Sequence, residues 1–167
     1  MPEFRSALAR EIQQERPFHS LRQEGALGLF KTSDLLRQHF SRVIKPFGIT
    51  DQQYNVLRIL RGAGKDGLAT LEIADRMIEK APGITRLLDR LERRKFLRRK
   101  RSARDRRQVL CTLAAPGSRL LARLDAPVNA ADDEALGMLR PEELETLIRL
   151  LEAIREGLSQ KSSRSRS

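Results

Sequence analysis

The chain has 167 residues, 40% of them apolar and 33% charged, which suits one mostly helical, soluble domain with a buried core. It has no apolar run of the roughly 18 residues that span a membrane, no apolar signal-peptide stretch and only one cysteine, so membrane insertion and a disulfide framework are excluded and the cytoplasm is expected. The net charge is +11, and residues 76–107, with fourteen basic and four acidic side chains, carry +10 of it, which indicates a phosphate-binding surface.

Two helices are predicted in the N-terminal part of the chain. Residues 3–16 have a weakly amphipathic pattern that ends before Pro17. Ser20 and Gln23 have the spacing of a capping box, in which each side chain accepts a hydrogen bond from the free backbone N–H of the other residue. A long helix is therefore predicted from Ser20 to about Lys45, where Pro46 ends it.

A second capping box predicts the start of the next helix. Thr50 and Gln53 have the same spacing and precede another apolar helical pattern. The glycine-rich residues 61–67 that follow are interpreted as a loop between helices. They do not form the pattern of a phosphate-binding loop, because Lys65 is followed by Asp66 and not by a hydroxyl residue.

Two short helices joined by a tight turn come next and predict a helix-turn-helix. The first spans 70–78 and the second 82–94, with Pro82 suited to a first helical position. Apolar residues of the second helix recur with helical spacing and share one face: Ile84, Leu87, Leu88 and Leu91. The opposite face carries Thr85, Arg86, Arg90 and Arg93. Such helix pairs also occur in proteins that never touch DNA, so the pair alone leaves both interpretations open.

An arginine-rich stretch lies between two predicted strands. FLRRK at 96–100 precedes it, and QVLCTL at 108–113 follows it with half-buried alternation at Val109, Cys111 and Leu113. Strands on both sides indicate a β-hairpin with a basic tip rather than a disordered charge run. The predicted fold is thus mainly α with a small β-hairpin, a winged helix-turn-helix whose wing is the segment 99–107.

Asp105 is the one acid of this basic tip. Its carboxylate either pairs with a neighbouring arginine and fixes the loop, or is an ordinary turn residue, which the residues alone slightly favour. In the first case Arg106 or Arg107 can project into a DNA minor groove, where the potential is most negative.

The stretch LATLEIADRMIEKAPGITRLLDRLERRKFLRRKRSARDRRQVLCTLAAPG resembles the core of a MarR-family transcription regulator, through TRLLDRLE and DRR above all. The resemblance covers roughly residues 25–155. It implies a homodimer that binds a pseudo-palindromic operator, with one recognition helix and one wing from each subunit. The chain departs from the family at Lys95, where glycine is usual, and at Ala114, where threonine is usual.

The resemblance also implies residue roles. Major-groove contacts fall on Thr85, Arg86 and Arg90, with three residues near the N-terminal end of that helix: Lys80, Pro82 and Gly83. In the wing, Asp105 matches the structural acid and Arg106 the minor-groove arginine, and the expected DNA contacts there are Arg104, Arg106 and Arg107. Small, often aromatic or phenolic effectors bind between the dimerisation and DNA-binding regions of the family. Residues in the corresponding part of this chain serve equally well as pocket or as core, and core is favoured for them: Phe30, Phe40, Phe47 and Tyr54.

A coiled-coil-like seam is predicted in the last helix, which begins at Pro141. Its apolar residues run at 3-4-3-4 spacing: Leu144, Leu147, Leu151, Ile154 and Leu158. Packing against the chain's own core is the alternative, but dimerisation is favoured. The resulting division of the chain is an N-terminal extension (1–19), a long dimerisation and pocket helix (20–50), the winged helix-turn-helix (51–113), C-terminal dimerisation helices (114–158) and a disordered basic tail (159–167).

Enzyme chemistry has no support in the residues. His19 and His39 are isolated, so neither a metal site nor a cofactor is expected, and no catalytic motif is present. Cys111, inside a predicted strand, is expected to be a small buried residue, with a redox sensor as the alternative. Two functions remain, namely a dimeric sequence-specific DNA-binding regulator, expected to be a repressor, and a nonspecific nucleic-acid-binding or architectural protein that uses the same basic surface.

Overall fold

The computed structural model describes residues 6–80, 82–101 and 108–164. Within these ranges the fold is mainly α-helical with one small antiparallel sheet, as the sequence predicts. A 3-10 turn (Lys45–Phe47) follows the second helix, and the elements in chain order are α1 (Ala7–Glu11), α2 (Leu21–Ile44), α3 (Asp51–Ala63), β1 (Leu68–Ala69), α4 (Thr70–Arg76), α5 (Ile84–Arg93), β2 (Leu97–Arg101), β3 (Val109–Leu113), α6 (Ala115–Leu136) and α7 (Pro141–Arg164).

The first helix is shorter than its sequence pattern predicts. α1 begins after Ser6, whose hydroxyl accepts a hydrogen bond from the Ala9 backbone N–H at 3.3 Å, and it ends at Glu11. Gln13 then adopts a φ of 54°, which is incompatible with a right-handed helix. The prediction of a helix up to residue 16 is therefore wrong, and residues 3–5 lie outside the described part of the chain.

Helix capping follows the sequence at one of the two predicted boxes. Thr50 Oγ1 accepts from the Gln53 N–H at 3.3 Å, and Gln53 Oε1 accepts from the Thr50 N–H at 3.1 Å, so this box is complete. At the start of α2, Ser20 accepts from the Gln23 N–H at 3.1 Å, but Gln23 Oε1 accepts from the N–H of His19 instead. The box at Ser20 is thus incomplete, because Gln23 caps the N–H of His19 rather than that of Ser20, although the helix starts where predicted.

The core lies where α3, α5 and α6 meet the sheet, with α2 packed on α6. Leu87, Leu88 and Leu91 of α5 are buried as predicted, and Ile84 is half-buried against them. The largest fully buried side chains are Leu57, Leu60, Ile73, Leu88, Leu91, Leu97, Leu121 and Leu124. The winged helix-turn-helix and the long helix α6 therefore share one apolar centre.

Within the described part of the chain the sheet has three strands, in the order β1-β3-β2, and the two-residue β1 was not predicted from the sequence. Cys111 of β3 is fully buried and Leu113 half-buried, which agrees with the predicted alternation. Val109 is 41% exposed, so the prediction is wrong there. Val109 pairs with the exposed Arg101. This pair lies at the end of the hairpin that is farthest from the core, whereas Leu97 and Leu113 pair at the end nearest to it.

Gly67 allows β1 to approach β3. It has a φ of 73°, and a Cβ at this position would lie 2.6 Å from the Cys111 carbonyl oxygen. Replacement of Gly67 by alanine is expected to lower the free energy of unfolding by about 2–4 kcal/mol, through backbone strain and the clash. Chemical denaturation measures the change. Gly62, inside α3 with open space around it, is the control, and its change to alanine should be neutral or stabilising.

The helix that faces outward, α5, begins two residues later than predicted. Gly83 is its N-cap with a φ of 91°, so the helix starts at Ile84 and Pro82 lies before it rather than at its first position. The helix ends at Arg93, whereas the sequence predicts residue 94. The left-handed conformation of Gly83 causes the late start, because a helix cannot continue through it.

Both departures from the family pattern have a local consequence. Lys95 follows α5 with a φ of 60°, the left-handed conformation that glycine adopts without strain. Ala114 is the N-cap of α6 and provides no side-chain hydrogen bond to the free N–H groups of the helix. At both positions the chain thus adopts its local geometry without the residue type that would stabilise it best.

Replacement of Lys95 by glycine is expected to raise the free energy of unfolding by about 1 kcal/mol, because it removes the left-handed strain. The shift is measurable as an increase in the midpoint of thermal or urea unfolding. Lys65 is the matched control: its φ is not positive, so a glycine there should give no gain. Equal effects of the two changes would contradict the strain at Lys95.

The last helix is longer than predicted. α7 runs from Pro141, as expected, to Arg164, so the prediction of disorder from Ser159 is wrong for residues 159–164. Ser159 Oγ donates to the Arg155 carbonyl at 2.9 Å, and each further residue of a formed helix adds one backbone hydrogen bond. Residues 165–167 lie outside the described part of the chain.

Candidate nucleic-acid interface

The outer face of α5 is basic and exposed. The leucines of this helix face the core, and the helical period of 3.6 residues places the other side in solvent. The exposed residues of this side are Thr85, Arg86, Arg90 and Arg93. Lys80, Pro82 and Gly83 are also exposed, in the turn that leads into the helix. The structure therefore brings together, at one surface, all the predicted contact residues before the wing.

The strands of the predicted wing are present as β2 and β3, and they pair in register from Leu97 with Leu113 to Arg101 with Val109. The predicted tip residues Arg104, Asp105, Arg106 and Arg107 lie outside the described residues. The described part of the wing contributes its own exposed basic side chains: Arg98, Lys100 and Arg101.

Arg99 differs from its basic neighbours, because it faces α5 instead of solvent. Its guanidinium Nη1 lies 2.6 Å from Asp89 Oδ1 and 3.5 Å from Glu92 Oε2, and its Nη2 donates to the Thr85 carbonyl at 3.4 Å. The Arg99 backbone N–H also donates to Glu92 Oε1 at 3.2 Å. Partial burial lowers the pKa of Arg99, but hydrogen bonds to Asp89 and Cys111 outweigh it and the pKa is raised. This role of Arg99 was not predicted from the sequence.

Arg94 is likewise a structural residue. Its Nη1 donates to the Gly48 carbonyl at 2.6 Å, and its guanidinium lies 4.6 Å from the centre of the Phe96 ring. These contacts join the C-terminal end of α5 to the turn after α2. Arg94 and Arg99 thus support the fold, although both belong to the basic segment of the sequence.

A cavity of about 520 Å³ lies beside the helix-turn-helix, between α2, α3 and α6. Phe40 and Tyr54 line it together with apolar side chains such as Leu36. Phe47 packs against the core and does not line the cavity. Phe30 is 75% exposed, so it belongs neither to the cavity nor to the core, and the interpretation of Phe30 as a core residue is wrong.

Two contacts tie the turn at 77–80, just before α5, to the helices around this cavity. Arg37 of α2 forms an ion pair with Glu79, and Asn55 Oδ1 of α3 accepts from the Ile78 N–H at 3.0 Å. All four residues line the cavity. A molecule in the cavity would therefore touch the same side chains that hold the turn.

The predicted seam of α7 is largely uncovered. Leu144, Leu147 and Leu151 are half-buried, whereas Ile154 and Leu158 are 42% and 62% exposed. Ile148 and Leu150 extend the same apolar side and are also exposed. Packing within one chain therefore leaves much of this apolar face in solvent.

Cys111 is buried in β3, and burial raises the pKa of its thiol, against the effect of the hydrogen bond from Arg99. A raised pKa disfavours the reactive thiolate, so this environment favours a packing role. Among the described helices, none is both long and apolar enough to cross a bilayer.

Comparison with known proteins agrees with this geometry. A sequence model of the MarR family matches residues 47–108. The chain is similar to a MarR transcription factor from Planctomyces limnophilus, with 42% identity, a TM-score of 0.62 and coverage of 82% of this chain and 99% of that chain. MepR of S. aureus, solved as a DNA complex, is 26% identical with a TM-score of 0.70, over 77% of this chain and 95% of its own.

A third similar structure is that of BpsR from Bordetella bronchiseptica, a protein whose DNA binding is regulated by 6-hydroxynicotinic acid. It is 26% identical, has a TM-score of 0.72 and covers 84% of this chain and 98% of its own. The fold, the exposed basic helix and the 42% identity over nearly the whole length of a known member lead to one conclusion. The chain belongs to the MarR family of winged helix-turn-helix transcription regulators.

Proposed function

We propose that the protein is a homodimeric repressor of the cytoplasm that binds a pseudo-palindromic operator sequence-specifically. The predicted recognition helix 82–94, which the structure bounds as Ile84–Arg93, enters the major groove, and the wing 99–107 enters the minor groove. The observation that carries the proposal is the exposed basic face of α5, opposite its buried leucines. The chain concentrates its positive charge in the segment that includes this face, which lies against the phosphate backbone of DNA in the proposed complex.

In this complex the residues have separate tasks. Thr85, Arg86 and Arg90 contact base edges, which specify the sequence. The turn before them contacts phosphates through the Lys80 ammonium and the Gly83 backbone N–H, with Pro82 in van der Waals contact beside them. Arg104, Arg106 and Arg107 act from the wing, with Asp105 to orient them.

The exposed apolar face of α7 supports the dimer. A second copy of the chain is the partner that would cover Ile154 and Leu158 by symmetry, since a twofold interface uses the same surface of both subunits. A dimer also presents two copies of α5, as a palindromic operator requires. Sedimentation analysis at micromolar concentration should therefore give twice the mass of one 19.1 kDa chain.

The alternative function, a nonspecific nucleic-acid-binding protein, uses the same charges and is distinguished by specificity. Genomic fragments that the protein retains are selected, and the affinity for the best fragment is compared with that for a scrambled duplex at fixed salt. A regulator should prefer its operator by about a thousandfold or more. Equal affinities would refute the regulator and leave the nonspecific protein.

A small-molecule effector belongs to the proposal as a regulatory step. We propose that an aromatic or phenolic compound occupies the cavity beside Phe40 and Tyr54 and releases the operator. The contacts of Arg37 and Asn55 with the turn before α5 explain how binding would release DNA. A ligand that competes for these two side chains would free the turn that leads into α5. A related protein, BpsR, is regulated by 6-hydroxynicotinic acid.

Filling the cavity should abolish the response to the effector. Replacement of Leu36, which lines the cavity, by tryptophan is expected to leave operator affinity within about threefold but to remove release by any active compound. A panel of phenolic and hydroxylated aromatic acids, with 6-hydroxynicotinic acid included, is titrated against labelled operator. Release that persists in the variant would place the effector elsewhere.

A further inference from the structure

The contacts of Arg99 join two elements that both face DNA in the proposed complex. Its partners Thr85, Asp89 and Glu92 lie along one side of α5, and they are 7 to 14 residues away in the chain. Apolar packing holds α5 on the core, but hydrophobic attraction is non-directional and resists rotation of the helix about its axis less than a directed contact does. A polar contact along one side of the helix restricts that rotation.

Asp89 raises an electrostatic problem that Arg99 resolves. The Asp89 side chain is 45% exposed, and it lies one turn from Arg86 and from Arg93. A free carboxylate at this place would repel phosphates and draw the neighbouring arginines toward itself. The ion pair with Arg99 neutralises the carboxylate and turns it toward β2.

We propose that Arg99 is a positioning residue, which fixes α5 against the wing strand so that helix and wing bind the operator as one rigid surface. The inference rests on the proposed regulator function. Exposed ion pairs contribute little, but the Arg99 side chain is only 23% exposed, and both its terminal nitrogens and its backbone N–H contact α5. Arg99 thus affects sequence recognition through Thr85 and Asp89 and not through the phosphates.

The chain offers a matched control on the same strand. Arg98 is exposed on the opposite face of β2, across from Thr112. In the proposed complex Arg98 can contact phosphates only. Its loss should therefore weaken binding to every duplex equally and reduce the magnitude of the slope of log affinity against log salt concentration by about 0.9. The loss of a positioning residue leaves that slope unchanged and lowers the preference for the operator.

The test compares Arg99→Gln, Arg99→Lys, Asp89→Asn and Arg98→Gln with the wild-type dimer, on the selected operator and on a scrambled duplex. Arg99→Gln should lower the preference for the operator by about tenfold, with the scrambled duplex bound within about twofold of wild type. Arg99→Lys keeps the charge but loses the planar fork, so it should recover less than half of this loss. Asp89→Asn in the Arg99→Gln background should recover part of it, because no unpaired carboxylate remains.

Hydrogen exchange of the free protein gives a readout that does not need DNA. Amides of α5 and β2 should exchange faster in Arg99→Gln than in Arg98→Gln, whereas those of α6 should not change. Unaltered exchange in α5, a retained operator preference or a reduced salt slope would each overturn the inference. Should Arg99→Gln fail to fold, Asp89→Asn alone must show the same pattern. A wild-type protein without operator preference would refute the proposed regulator. Faster exchange in Arg99→Gln would then still show that Arg99 holds α5 to the wing strand, so the two failures can be told apart.

Discussion

Replacement of both Ile154 and Leu158 by glutamate is expected to convert the proposed dimer to a monomer and to lower operator affinity by about a hundredfold or more. The two side chains lie on the apolar face of α7 and are exposed in the single chain. In a dimer they would be buried, and four added carboxylates at the twofold interface would repel each other without water to screen them. A monomer contacts one half-site only, so it loses the benefit of two linked contacts. Sedimentation equilibrium and binding to a labelled operator measure the two effects.

The matched control adds the same charge on the other side of the helix. Thr146 and Ala153 lie on the polar face of α7 and are exposed. Their double replacement by glutamate should leave both the dimer and the operator affinity unchanged. A dimer that persists after the change at Ile154 and Leu158 would show that the subunits associate through another surface.

Replacement of Arg86 by alanine is expected to lower operator affinity by about 1–3 kcal/mol, which corresponds to roughly five- to 150-fold. Arg86 lies on the exposed face of α5, opposite the buried leucines, so its side chain can reach a guanine edge without strain in the fold. The dimer and the unfolding midpoint should be unchanged, because an exposed side chain is removed. Fluorescence anisotropy with the operator and with single-base variants of it gives the affinity and the base that Arg86 contacts.

Arg149 of α7 provides a control of the same residue type, far along the chain from α5. Its replacement by alanine should change operator affinity by less than about twofold. If Arg86→Ala weakens all duplexes equally, Arg86 contacts phosphates and not bases, and the assignment of base recognition moves to Thr85 and Arg90. An unchanged operator affinity would remove Arg86 from the interface.

Local sequence signals predicted the elements well where the signal itself is local. The Thr50–Gln53 capping box and the buried face of α5 follow from side chains within one or two turns, and both are present. Boundaries that depend on a single backbone angle were missed, since no side-chain pattern reveals the left-handed φ of Gly83 that delays α5. The short strand β1 was missed for a different reason, because two residues form a strand only through pairing with β3.

The role of single residues within the basic segment required the tertiary structure. In the sequence Arg98, Arg99 and Lys100 form one basic run, yet the pleat of β2 turns Arg99 alone toward Asp89. The prediction for Phe30 also needed the tertiary structure. Its helical pattern is that of a core residue, but none of the elements in the described ranges covers it.

The sequence by itself determined the winged helix-turn-helix and the concentration of positive charge in one segment, because capping, periodicity and composition act over neighbouring residues. The family followed from the resemblance of residues 68–117 to known regulators. The tertiary structure decided which charged side chains face solvent and which hold α5 to the wing, where α5 begins, and which apolar faces stay uncovered. These features depend on contacts between residues far apart in the chain. The pair Arg99 and Asp89, ten residues apart on two different elements, is the clearest case.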